Sequence, residues 1–139
     1  QRGQRFDPLP NDVEVVRLGR RSFSSDPRQA HESDFALSTE DKRAEVPLLS
    51  VWATALTPAT QAREFMGDAK ANYRLALYLD TTAIRNIPDV ELPRIDTVWD
   101  PDDRPGAEGH AGIVDYIDQK EGQGINIAVC VFISHASPV

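Results

Sequence analysis

The chain has 139 residues, of which 40% are hydrophobic, 27% charged and 7% aromatic, a composition that predicts one globular domain over 1–139 and excludes a disordered or fibrous chain. Fifteen basic against 22 acidic residues give a formal charge of −7, which argues against a nucleic-acid partner or an anionic membrane surface. The single cysteine allows no internal disulfide, no apolar run is long enough to span a membrane, and QRGQRFDPLP lacks the apolar core of a signal peptide, so a cytoplasmic location is expected. A start on Gln1 rather than methionine leads to the expectation that some N-terminal residues were removed or are not included in the sequence.

In chain order, residues 1–11 read as irregular. Val13, Val15, Val16 and Leu18 form a β-branched run ending at Gly19, a first strand. Residues 20–34 are polar and carry Pro27, which fits a loop. Phe35 to Ser38 reads as a short extended piece, and the STEDKRAE stretch as a capped turn. Val46 to Ala53 is a continuous apolar run of strand length, the pattern of a strand buried on both faces. Thr57-Pro58 then supplies an N-cap and a first-turn proline for a helix over about 58–70. Ala59, Ala62, Phe65, Met66 and Ala69 fall at helical spacing and form its apolar stripe.

Tyr73 to Asp80 reads as a strand, and Thr81 to Asn86 as a short helix before Pro88. The strand–helix–strand succession fits either a parallel crossover or a helix laid across an antiparallel sheet. Residues 86–110 hold four prolines, seven acids and two arginines, a long acidic loop interrupted only by a short strand near Thr97-Val98-Trp99. Ala111 to Ile117 and Ile125 to Ile133 are extended in character and predict a C-terminal hairpin. The fold class expected is α+β, with about five strands in a mostly antiparallel sheet and one main helix packed on it.

The most specific local pattern is PGAEGHAG, in which Gly106, Gly109 and Gly112 recur at every third position around His110. Histidine titrates near neutrality and suits proton transfer, and glycines let a backbone approach a ligand closely. Glu108 is the carboxylate expected to tune His110, with Asp100, Asp102 and Asp103 also near in sequence. The same residues equally form a tight loop-to-strand turn in which His110 bonds a carbonyl. Arg17, Arg20 and Arg21, with neighbouring serines, are the one concentrated basic feature. They can grip a phosphate or carboxylate, or pair with the chain's own acids. Ser50 has no Gly-x-Ser-x-Gly elbow; it reads as a substrate-binding or backbone-bonding hydroxyl. Cys130, inside INIAVCVFI, reads as a buried apolar thiol. His31, His110 and His135 lie far apart, so neither a metal nor a cofactor is expected.

Leu49-Ser50-Val51 and His110-Ala111-Gly112-Ile113, in that order, resemble segments of a group of uncharacterised bacterial proteins. That resemblance implies a bacterial, cytoplasmic origin and no particular activity. An early arginine strand, a middle serine strand and a late acidic residue also resemble ADP-ribosyltransferase-like domains. The paired Ser/Thr segment and the Gln/Glu-x-Glu turn of that family are not evident here.

Two functions follow. The first expectation is a binding or accessory module that meets a protein partner through the acidic loop, with Trp99 as an aromatic anchor. The alternative is an enzyme acting on a nucleotide or other small phosphorylated ligand. In it, Arg17, Arg20 and Arg21 hold the anion, Ser50 helps bind it, and His110 with Glu108 performs acid–base catalysis.

Overall fold

The computed structural model describes residues 4–20, 48–85, 96–100, 103–114 and 135–139. Six strands are seen: β1 (Glu14–Arg20), β2 (Leu49–Ala53), β3 (Tyr73–Asp80), β4 (Asp96–Trp99), β5 (His110–Val114) and β6 (His135–Pro138). They form one sheet in the order β4-β5-β2-β1-β3-β6, antiparallel at every junction. Two short helices, α1 (Ala59–Glu64) and α2 (Thr81–Arg85), and a 3-10 turn at Gly67–Asn72 complete the described elements. The α+β class with a mostly antiparallel sheet is therefore present, with six strands.

The period-2 alternation of side chains sorts the central strands into two apolar faces. Val15, Leu49, Val51, Leu75, Leu77, Leu79, Trp99 and Ile113 pack on one face, together with Leu9 and Ile84 from outside the sheet. Val16, Leu18, Trp52 and Ala76 lie on the other, beneath Ala59 and Ala62 of α1. Burial of each large aliphatic side chain contributes roughly 1.5–3 kcal/mol, so the two faces together set the stability of the sheet. As the unbroken apolar run predicts, four of the five residues of β2 are buried.

β2 and β3 both lie beside β1 and both run against it, so they are parallel to each other with β1 between them. The connection through α1 is thus a crossover that skips one strand, which joins the two arrangements left open by the sequence. The helix is shorter than the expected 58–70. Its N-cap is Pro58, with no side-chain cap bond, and Thr57 is used elsewhere. It stops before Gly67, whose φ of +58° belongs to the left-handed region. The chain then tightens into the 3-10 turn, where Arg63 Nε donates to the carbonyls of Lys70 and Tyr73. Ala69, expected on the apolar stripe, is exposed as a result.

The N-terminal segment is tied down rather than irregular throughout. Phe6 N donates to Trp99 O at 2.7 Å, Trp99 N to Asp7 O at 2.8 Å and Leu9 N to Thr97 O at 2.9 Å, so residues 6–9 line the outer edge of β4. Arg85 of α2 fastens this strap. It donates to Asp96 Oδ1 at 2.5 Å, Asn11 Oδ1 at 2.6 Å and Leu9 O at 2.6 Å.

At Ala111, Gly112 and Ile113 both edges of β5 are occupied, by β4 on one side and β2 on the other. The expected hairpin partner, Ile125 to Ile133 with Cys130, lies outside the described residues. So do Phe35 to Ser38, the STEDKRAE stretch and, of the acidic segment expected over 86–110, residues 86–95 and 101–102. No helix among the described residues is long and apolar enough to cross a membrane.

Candidate functional site around His110

The register places one row of residues across three strands on the α1 face. His110 opens β5 opposite Trp52 of β2, and Asp100, one residue past β4, donates its amide N–H to the carbonyl of His110 at 3.1 Å. Ser50 lies two residues before Trp52, on the same face, and its direct cross-strand partner is Gly112. Because Gly112 presents no side chain, the imidazole of His110 lies within reach of the diagonal position. Leu48 occupies the space above Gly112: a Cβ built there would sit 2.8 Å from Leu48 Cβ.

His110 Nδ1 is 2.7 Å from the backbone oxygen of Asp100. That oxygen only accepts, so Nδ1 carries the proton and donates it. In the neutral ring the lone pair is then on Nε2, which lies 3.3 Å from Ser50 Oγ, so the serine hydroxyl donates. The Asp100 carboxylate adds Oδ2 at 3.5 Å from Nδ1, too long for a strong bond. Its other oxygen, Oδ1, accepts from Arg5 Nε at 3.1 Å, so the N-terminal strap holds the acid in place. The side chains of His110 and Asp100 are 18% and 22% exposed, so each keeps part of its surface in contact with solvent. The imidazole meets the Trp52 ring edge-on at 4.7 Å, and Trp52 in turn stacks on Phe65, the C-cap of α1, at 5.4 Å.

The glycines around His110 are explained by packing. Gly106 has φ +86°, and Gly109 approaches so closely that a Cβ would meet Ala53 O at 2.7 Å and Thr57 Oγ1 at 2.8 Å. Thr57, fully buried, accepts from Gly109 N and donates to Gly106 O, both at 2.9 Å. The hydroxyl expected to cap α1 closes the loop that delivers His110 instead.

The other sequence candidates fall in different places. Glu108 is exposed and reaches only Gly106 N, at 3.4 Å; the carboxylate at His110 is Asp100. Arg17 Nη1 donates to the main-chain oxygen of Ser50 at 2.9 Å, and the Arg20 guanidinium lies over the ring of Tyr73 at 5.6 Å. Arg21 lies outside the described residues. The arginines at 17 and 20 and the imidazole are thus not joined by any described bond. Trp99, expected to anchor a partner, is 4% exposed and belongs to the core. Asp100 is set beside His110 by strand pairing across ten residues, whereas Glu108 is only near in sequence. Arg5 and Trp52 had no signal beyond their residue types. Among the described residues, no three His, Cys, Asp or Glu side chains gather in a way that fits a metal ion.

Comparison with protein-family models, curated proteins and solved structures finds no match to this chain.

Proposed function

We propose that this protein is an enzyme in which His110 acts as a general base, with Asp100 as the acid that orients it and stabilises its protonated form. One observation carries the reading. His110 Nδ1 is committed to the Asp100 carbonyl, so Nε2 is free to accept a proton and lies 3.3 Å from the Ser50 hydroxyl. A base needs its acceptor nitrogen fixed in place before the reactant arrives, and the two Asp100 oxygens near Nδ1 supply that.

In this reading Asp100 takes the part expected of Glu108. Support for a phosphorylated substrate falls away, because Arg17 and Arg20 make their described contacts with a backbone oxygen and a tyrosine ring. The binding-module reading loses its aromatic anchor with the burial of Trp99 and rests on the acidic charge alone.

The test is a hydrolysis screen of the full chain with chromogenic carboxylic esters, phosphate monoesters and phosphate diesters. Turnover of at least one class is expected, falling by about 10²–10⁴-fold in His110→Gln. Absence of turnover across the panel, or a variant as active as the parent, overturns the proposal.

A further inference from the structure

We infer that Ser50 is the nucleophile of this site and that its substrate is an uncharged carboxylic ester, an inference that rests on the general-base reading of His110. A serine hydroxyl is a weak nucleophile until a base takes its proton, and it needs that base within hydrogen-bond reach. Ser50 Oγ is within that reach of Nε2, and on the far side of the imidazole Nδ1 donates to the main-chain oxygen of Asp100 at 2.7 Å with the carboxylate of the same residue 3.5 Å away. The order Ser50–His110–Asp100 therefore has the connectivity of a nucleophile, a base and an orienting acid, although no strand-to-helix elbow is present.

The main chain at Ser50 is held independently of its side chain. The β1–β2 pairing runs through Val15↔Ala53 and Val16↔Trp52, and beyond it Arg17 Nη1 donates to Ser50 O. The hydroxyl consequently has a partner on His110 while the carbonyl has its own. The surroundings set the substrate class. Trp52 on β2, Leu48 over Gly112 and the absence of a side chain at Gly112 make an apolar setting. Of the guanidinium groups bonded at the site, Arg5 is engaged by Asp100 and Arg17 by the Ser50 carbonyl. An uncharged acyl group suits that setting better than a phosphate.

The chemistry balances without a further reagent. Ser50 Oγ bonds to the ester carbonyl carbon as its proton passes to His110 Nε2. The bond to the alcohol oxygen then breaks, and that oxygen leaves with the proton from Nε2. Water attacks the acyl-serine, gives a proton to Nε2, and the carboxylic acid departs as Ser50 recovers its hydrogen.

The experiment treats the full chain with a fluorophosphonate probe and, separately, with p-nitrophenyl butyrate quenched in acid, followed by intact and peptide mass spectrometry. A single adduct on the peptide containing Ser50 is expected with each reagent. It is absent in Ser50→Ala and forms about 100-fold more slowly in His110→Gln, both variants melting like the parent. His110-dependent ester turnover without an adduct on Ser50 overturns the nucleophile and leaves the general base standing, with water attacking directly. Turnover of phosphate esters alone overturns the substrate class. Neither turnover nor adduct overturns both readings together.

Discussion

Gly109→Ala is the substitution that the packing around His110 condemns most clearly. The new methyl carbon would lie 2.7 Å from Ala53 O and 2.8 Å from Thr57 Oγ1, against a backbone atom and a fully buried side chain. Neither can move aside without opening the β2–α1 junction. Overpacking of this kind costs about 1–3 kcal/mol. Displacing the residue also strains two buried hydrogen bonds, Ala53 N to Gly109 O at 2.7 Å and Gly109 N to Thr57 Oγ1 at 2.9 Å. Each such bond contributes about 1 kcal/mol net, so the total loss expected is about 3 kcal/mol. Gly106→Ala is the internal control. Its nearest neighbour is the flexible Gln61 side chain, at 3.0 Å, so the main penalty is the left-handed backbone at φ +86°. That penalty is about 1–2 kcal/mol. Urea unfolding followed by circular dichroism measures both. A Gly109→Ala loss below about 0.5 kcal/mol, or one smaller than that of Gly106→Ala, would refute the packing argument.

Two further substitutions probe β4, the edge strand beside β5, and the segment packed against it. Thr97 is fully buried and its hydroxyl has no hydrogen-bond partner among the described residues, so Thr97→Val removes an unsatisfied polar group at nearly constant shape. A gain of about 1 kcal/mol is expected in the same unfolding assay, and a loss would mean that the hydroxyl is partnered. Arg85, with a side chain only 13% exposed, joins Asp96, Asn11 and the Leu9 carbonyl. Arg85→Met should cost about 2–3 kcal/mol, because the partly exposed Asp96 recovers some solvation, and should make the N-terminal strap the first segment cut by limited proteolysis; an unchanged midpoint and cleavage pattern would refute its fastening role.

The strands were legible because their apolar patterns match the sheet period: the β-branched run of β1 and the unbroken run of β2 stand out from their flanks. Strand order was not legible, since β5 inserts between β4 and β2 and no local pattern encodes such a neighbour. The length of α1 was overread because the apolar stripe continues formally to Ala69, while the left-handed backbone at Gly67 ends the regular geometry first. Trp99 illustrates a different error. Its acidic, proline-rich flanks suggested a surface loop, yet a four-residue strand with alternating faces can bury a tryptophan inside such a segment. At the site, His110 and Ser50 were visible as residue types. Their juxtaposition is a diagonal across two strands separated by 60 residues, which becomes visible only once the register is known.

The arrangement also explains how the proposed site forms without an elbow. In an elbow a sharp turn lifts the nucleophile clear of its neighbours. Here the clearance comes from the opposite strand, where Gly112 faces Ser50 and removes the side chain that would separate it from the imidazole. The same glycine receives Leu48, so its lack of a Cβ is also required by packing. A histidine retained only for structure would gain most by giving both nitrogens to backbone groups, which are fixed and cannot leave. His110 gives one nitrogen to the Asp100 carbonyl and the other to a side-chain hydroxyl, next to a carboxylate that Arg5 holds from the far side. The first bond fixes the tautomer and the second stays exchangeable, the combination that general-base catalysis requires.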